Sequence, residues 1–186
     1  PFYEKGLKEY LKRLKNKKLE FYNKIEEIKA SVFIITVGTP LKKDSKTPDI
    51  SSISEVSKKL AKIIKKDDLV ILRSTVPIGT TRNTVKNIIE KFSKLKCGID
   101  FYLSFAPERT VEGDAINEIR SLPQIIGGFN KKSTNLSDNI LSEFASNIIK
   151  VDSLESAEMI KIMNNTFRDV KFAYSNEIAL ISKNLG

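Results

Sequence analysis

Two groups of residues in this chain have types and spacings suited to chemistry. The first lies in three polar turns, Val37-Gly38-Thr39-Pro40, Ser74-Thr75-Val76-Pro77-Ile78-Gly79-Thr80-Thr81 and Ala106-Pro107-Glu108-Arg109. Each follows a short apolar run that reads as a strand, and open α/β sheets bind ligands at the carboxyl ends of their strands. Gly and Pro by themselves only shape tight turns. They do not account for Thr39, Thr75 and Glu108 meeting at one edge, so a functional cleft is expected there. The second group, Glu158, Lys161, Asn165 and Arg168, falls at i, i+3, i+7 and i+10 and shares a helix face. A solvated stripe has the same spacing, with Glu158 and Lys161 as an ordinary surface pair. The apolar neighbours Met159, Ile160, Ile162, Met163, Phe167 and Val170 instead predict burial on several sides, where an unpaired charge is costly. There Lys161 and Asn165, one turn apart, can present an ammonium and an amide to one oxygen. Such donors stabilise a developing oxyanion.

Composition narrows the alternatives. The 186 residues carry a net charge of +9, with 40% hydrophobic and 30% charged residues, an ordinary balance for a globular domain. The chain has no His and one Cys, Cys97, which excludes a Ser-His-Asp triad and His- or multi-Cys zinc sites. No metal is expected. A single Cys permits no intrachain disulfide, which suits a cytoplasmic protein. Cys97 itself lies between a helix end and a strand start, opposite the polar turns, and reads as a structural thiol. The longest uncharged stretch, Ala30 to Leu41, is too short to span a bilayer and contains Gly38 and Pro40. The basic excess sits on helices, for example at Lys58, Lys59, Lys62, Lys65 and Lys66. It comes without interleaved aromatics or a recognisable module, so solvated faces are expected rather than nucleic acid.

The elements that must position these groups follow from periodicity. Residues 4–17 space Leu7, Tyr10, Leu11 and Leu14 helically, and a short strand at 19–22 and a brief helix at 24–29 follow. Ser31 to Val37 reads as a strand buried on both faces. Ser52 and Glu55 form a capping-box pattern ahead of a helix to about Lys66. Strands at 68–74, 101–105, 124–126 and 148–151 then alternate with helices at about 80–95 and 135–146, with a short helix before Leu122. This alternation predicts a parallel α/β sheet with helices on both faces. Residues 155–185 contain no Pro and no Gly, and read as one long helix leading away from the sheet.

Taken in order, these segments resemble the UDP-glucose/GDP-mannose dehydrogenase family of nucleotide-sugar 6-dehydrogenases. The likeness begins with Pro1-Phe2-Tyr3-Glu4-Lys5-Gly6-Leu7 and runs through the three turns and Glu112-Gly113-Asp114-Ala115. It continues in Pro123-Gln124-Ile125-Ile126-Gly127-Gly128 and the helix from Ala157 to Asn165. The resemblance implies a Rossmann-like sheet through residue 151 as part of an NAD-binding domain. Residues 152–186 would then open an α-helical central dimerisation domain, with the substrate-binding domain absent. It implies oxidation of a sugar's C6 alcohol to a carboxylate with two NAD, for polysaccharide biosynthesis, by a homodimer. Thr39 and Pro40 would lie against NAD together with Ser74 and Thr75, and Thr75 would also help hold the catalytic water. Glu108 would activate that water to hydrolyse a thioester, with Glu112 a second acidic position near cofactor and substrate. Lys161 and Asn165 would bind the substrate at C6 and steady oxyanions, beside Glu108, Arg109 and Arg168 at the sugar.

The family's opening strand with its Gly-rich turn is expected ahead of Pro1, and its nucleophilic Cys beyond Gly186. The chain therefore reads as a piece of a longer polypeptide that does not turn over alone. Asn164-Asn165-Thr166-Phe167-Arg168-Asp169-Val170 is similar to the branch acting on UDP-N-acetylmannosamine or UDP-N-acetylglucosamine. Glu108-Arg109 also departs from the Glu-Phe usual in UDP-glucose enzymes, although UDP-glucose or GDP-mannose remain open. The competing readings are a β-hydroxyacid dehydrogenase, which shares the Ser-Thr-Val turn and Lys-x-x-x-Asn pair, and a non-catalytic dimerising fragment.

Overall fold

Short β-branched and aromatic runs build the sheet, because such side chains pack well on a pleated surface. The computed structural model describes residues 4–15, 18–25, 28–43, 45–111 and 113–185. Strands β1 (Val32–Ile35), β2 (Leu69–Leu72), β3 (Tyr102–Phe105), β4 (Gln124–Gly128) and β5 (Ile148–Val151) lie side by side in chain order. The first three are parallel, with Val32 opposite Leu69 and Leu69 opposite Tyr102.

The sequence predicts a parallel sheet, but the observed sheet is mixed. β4 runs antiparallel to β3, with Phe105 opposite Gly127, and β5 runs parallel to β4. The cause is the connection. Helix α4 (Ala115–Ser121) buries none of its residues and, at seven residues, is only about 10 Å long. It does not cross a face of the sheet to return the chain to the other edge. β4 therefore starts at the edge where β3 ends, which places Pro123 and Gln124 beside the strand-end turns.

Alternate side chains fill two cores. Val70, Leu72, Leu103 and Phe105 pack with Ile53 and Leu60 of α2 (Ser51–Leu60) and Ile89 of α3 (Asn87–Ser93). Leu69, Ile71 and Tyr102 pack with Ile126 and with Leu141 of α5 (Lys131–Leu141). Among the described residues β1 pairs with β2 alone, and Ile34 is 46% exposed, short of the expected burial on both faces.

Other local expectations need correction. Helix α1 spans Leu7–Leu14, shorter than the 4–17 pattern, and Leu19 forms an isolated bridge to Lys15 rather than a strand. The brief helix at 24–29 includes residues outside those described. Helix α2 starts one residue before the expected cap. The Asp49 carboxylate, rather than a Ser52–Glu55 box, accepts its first N–H at 2.9 Å from Ser51. The expected helix at 80–95 begins as a π-helical segment, Thr81–Lys86, before α3.

Helix α6 (Leu154–Leu185) matches the expected long helix. Its start presses on the sheet at Gly127, where a Cβ would lie 2.1 Å from the Ser153 carbonyl oxygen and 2.9 Å from the Ala157 Cβ. Only glycine fits there. Gly127→Ala is therefore expected to destabilise the fold by about 1–3 kcal/mol, the cost of overpacking a tight contact. Urea unfolding of the variant measures this, and an unchanged midpoint would mean that α6 does not seat on β4.

Candidate functional site

The carboxyl ends of β1, β2 and β3 share one edge, and their turns are tied together there. The Thr39 hydroxyl donates to the Thr75 carbonyl at 2.6 Å, and the Ser74 hydroxyl donates to the Val37 carbonyl at 2.6 Å. Pro40 carries the main-chain carbonyl that accepts from Asp49 N–H at 2.7 Å, which closes the loop leading to α2. Thr75 is exposed and Ser74 buried, so Thr75 faces outward from a fixed turn. In these two turns the groups on offer are hydroxyls, main-chain amides and apolar side chains, with no carboxylate.

Glu108 lies beside them. Its carboxylate accepts from Arg73 Nη2 at 2.8 Å and from the N–H groups of Arg109 and Thr110 at 2.8 and 3.0 Å. Arg73 is buried, at 6% exposure, whereas the Glu108 side chain is 41% exposed. Burial pushes the Glu108 carboxyl up, but the Arg73 charge and these hydrogen bonds pull it down further. The net result lies below the ordinary carboxylate range. Glu108 also lines a cavity of about 460 Å³ together with Glu4, Leu7, Thr110, Ala115, Ile116 and Ile119. A larger hollow of about 920 Å³ runs along α1, but no strand-end residue lines it.

Helix α6 enters the same edge. Glu158 is fully buried, and its carboxylate accepts from Gly79 N–H at 2.5 Å, Thr81 N–H at 2.8 Å and the Thr81 hydroxyl at 2.6 Å. It is no surface partner of Lys161. One turn on, the Lys161 ammonium donates to the main-chain carbonyl of Glu108. Burial lowers the Lys161 pKa; Glu108 opposes this, and the Arg168, Arg109 and Arg73 charges add to it. Asn165 is half-buried on the same side, and Arg168 is exposed. The Arg109 guanidinium donates to the Pro123 carbonyl at 2.9 Å, a bond that exists because β4 is reversed. Thus Thr39, Ser74, Thr75, Glu108, Arg109 and Lys161 are brought together, with Asn165 and Arg168 on the adjoining helix. Glu112 lies outside the described residues.

One expectation changes. Beyond Ile162 the helix is not buried on several sides within the described chain: Met163, Phe167, Val170 and Phe172 are 57–67% exposed. Cys97 behaves as expected of a structural thiol, since burial, followed by the nearby Glu90, pushes it up to about 12. Among the described residues no cluster of His, Cys, Asp and Glu is arranged to hold a metal ion. Nor is any described helix long and apolar enough to cross a membrane.

The sequence reading passed over Arg73, Gln124 and the role of Glu158. Arg73 could have been found as a cation ending the otherwise apolar strand Leu69-Val70-Ile71-Leu72. The direction of β4, which delivers Gln124, leaves no trace in hydrophobic periodicity.

Comparison with known proteins bears on the identity of the fold and the site. The family model described as UDP-glucose/GDP-mannose dehydrogenase family, NAD binding domain, matches residues 1–145. The model of that family's central domain matches residues 155–186. The chain belongs to the UDP-glucose/GDP-mannose dehydrogenase family. It is 38% identical over 170 residues to UDP-N-acetyl-D-mannosamine dehydrogenase of Pyrococcus horikoshii, a match covering 91% of this chain and 40% of that protein. It is 35% identical over 159 residues to UDP-N-acetyl-D-glucosamine 6-dehydrogenase of Pseudomonas aeruginosa, covering 85% of this chain and 37% of that one. Its fold superposes on the solved UDP-D-ManNAc dehydrogenase of P. horikoshii with a TM-score of 0.92 at 36% identity, over 99% of this chain and 44% of that one. The chain thus spans about 40% of the length of these curated relatives. The Rossmann-like reading stands, amended by the antiparallel β3–β4 pair.

Within this family member, Glu158 and Glu155 make contrasting contacts with the segment after β2. Glu155 pairs with Arg82 through bonds of 2.6 and 3.1 Å, but both side chains are about one-third exposed. Glu158→Ala leaves two buried N–H groups and a hydroxyl without an acceptor, so a loss of about 3 kcal/mol or more is expected. Glu155→Ala is expected to cost about 1 kcal/mol or less, as exposed pairs do. Chemical denaturation of the two variants side by side checks the ranking, and equal losses would contradict it.

Proposed function

We propose that these residues serve an NAD-dependent nucleotide-sugar 6-dehydrogenase, which oxidises a C6 alcohol to the uronate on the way to polysaccharide. UDP-N-acetylmannosamine or UDP-N-acetylglucosamine is the favoured substrate. Support comes from the named activities of the relatives and from Arg168 within Asn164-Asn165-Thr166-Phe167-Arg168. Residues 1–151 belong to the NAD-binding domain and 152–186 to the helical central domain. The exposed apolar side chains of α6 support pairing into a homodimer through that domain. The single free thiol, buried at Cys97, fits a reducing cytoplasm.

The observation that carries this reading is the meeting of Thr75, Glu108 and Lys161 at the carboxyl edge of β1–β3. The turns fit a dinucleotide. They offer hydroxyls and amides without a like charge, and a Cβ on Gly38 would meet nothing within 4 Å, so there is open space along the first turn. Thr39, Pro40, Ser74 and Thr75 would hold NAD. NAD, when bound, takes up the hydride lost from C6 in each of the two oxidations.

The chain's own groups do the rest. Lys161 and Asn165 hold the C6 oxygen, and the ammonium stabilises negative charge there as the hydroxyl proton passes to solvent. A fixed cation is favourable for such charge, and most of all where water is excluded. Arg109 and Arg168 orient the sugar. In the second half-reaction Thr75 holds a water and Glu108 takes its proton as the water oxygen bonds to the thioester carbon. The thiolate leaves, and the carboxylate product keeps that oxygen. The family places this thioester on a Cys other than Cys97.

Two substitutions in the natural full-length polypeptide separate these roles. Lys161→Ala is expected to slow the first oxidation as well as later steps, by about 100-fold or about 3 kcal/mol. Glu108→Gln is expected to spare early hydride transfer while the thioester accumulates. Rapid-quench mass spectrometry after mixing with NAD and the UDP-sugar detects that adduct. Unchanged turnover with no trapped adduct in Glu108→Gln would rule out the role given to Glu108.

A further inference from the structure

Arg73 is an unusual residue for its place. It follows the all-buried strand Leu69–Leu72 and is itself 6% exposed. Its Nη2 bridges two acceptors, Glu108 Oε2 at 2.8 Å and Gln124 Oε1 at 3.0 Å. Its Nη1 is buried with no hydrogen-bond partner. Burying a guanidinium costs several kcal/mol, and an orphaned N–H adds to that cost. A pair of this kind adds little to stability compared with apolar residues of the same volume. The arrangement therefore calls for a reason other than holding the fold.

The surroundings supply one. The Arg73 main chain is fixed in the sheet by its N–H on the Ile35 carbonyl at 2.9 Å. The Glu108 N–H donates to the Arg73 carbonyl at 3.3 Å, so the two residues are joined through main chain and side chain. Gln124, 1% exposed, sits behind the guanidinium and limits its swing. We infer that Arg73, steadied by Gln124, is the positioning residue that aims the Glu108 carboxylate at the hydrolytic water and keeps it ionised. This rests on the role proposed for Glu108. Neither Arg73 nor Gln124 needs to touch substrate.

Other charges face Glu108 as well. Lys161 of α6 interacts electrostatically with Glu108, Arg168 and Arg109 act in turn on Lys161, and Glu4 lines the same cavity from the N-terminal segment. The Arg73 guanidinium is the cationic side chain hydrogen-bonded to the Glu108 carboxylate. A base works only when deprotonated, so activity falls as pH drops through its pKa. Removing a cation that favours the charged form raises that pKa, and the acid limb moves to higher pH.

The test uses the full-length enzyme with NAD and UDP-N-acetylmannosamine. In Arg73→Met, thioester hydrolysis is expected to slow about 10-fold or more, part of the 10²–10⁴-fold that a positioned base provides. The acid limb of kcat is expected to move up by about one pH unit or more. Arg73→Lys, which keeps a charge but not the fork, is expected to recover part of both. A purely structural role would lower stability in both variants without moving the limb. If Arg73→Met does not fold, Gln124→Leu carries the test, with a smaller shift in the same direction. An unmoved limb and wild-type thioester hydrolysis, alongside an adduct that accumulates in Glu108→Gln, would overturn the inference and leave the proposed function standing. Absence of the adduct in Glu108→Gln itself would remove both.

Discussion

The site depends on one buried carboxylate. Glu158 has no exposure and accepts three hydrogen bonds from Gly79 and Thr81. An ion so placed loses its hydration, a cost of several kcal/mol, and only well-aimed donors offset it. Here two donors are main-chain N–H groups at the start of the helical segment after β2, where free amides and the helix dipole favour negative charge. The bond is thus specific in direction as well as sign. It sets both the rotation and the axial position of α6 against the turn that carries Thr75. Lys161 lies three residues on, about 4.5 Å further along the axis, and Asn165 a further 6 Å. Once Glu158 is seated, neither has freedom to choose another edge of the sheet.

Two features of the sheet make that seating possible. Gly127 lets the first turn of α6 lie directly on β4, and the reversal of β4 places Pro123 and Gln124 at the strand-end edge. The reversal depends on the short connection through α4, where Glu4 accepts from the Gly113 N–H ahead of the helix at 2.9 Å and from the Ile116 N–H in its first turn at 3.2 Å. The N-terminal segment therefore acts at a distance on the same edge. Glu4 fixes α4, α4 fixes the return of the chain, and the return supplies the carbonyl for Arg109 and the amide for Arg73.

Much of this was legible in the sequence, and the omissions have physical causes. The strands were found because β-branched runs bounded by Gly and Pro leave few alternatives. Their turns drew notice because the Gly and Pro that shape a turn do not account for Thr39, Thr75 and Glu108 lying together. Lys161 and Asn165 were found from helical spacing. Strand direction was not, since residues 124–128 pair equally well either way and only the reach of α4 decides. Glu158 was read as a possible surface partner of Lys161 because spacing along a helix says nothing about what faces it. Its true partners are 77 and 79 residues away in sequence. The burial expected around Phe167 and Val170 followed from composition, and no element of the described chain covers those side chains.

The electrostatic layout shows why the two charged groups at the centre do not quench one another. Lys161 interacts with one carboxylate, Glu108, and with three cations, Arg168, Arg109 and Arg73. If the Lys161 ammonium bonded directly to that carboxylate, the pair would neutralise itself and leave neither a base nor a cation for an incoming oxygen. The structure divides the contacts instead. The carboxylate is matched by Arg73 and two main-chain N–H groups, while Lys161 takes the main-chain carbonyl of the same residue. That carbonyl holds the ammonium in place without cancelling its charge. The Lys161 charge is therefore left available at the edge of the sheet. Burial lowers the Lys161 pKa and the neighbouring Arg168, Arg109 and Arg73 charges add to it. An anion or developing oxyanion entering there relieves this repulsion, so the site gains most from charge that appears during a reaction rather than from charge already present.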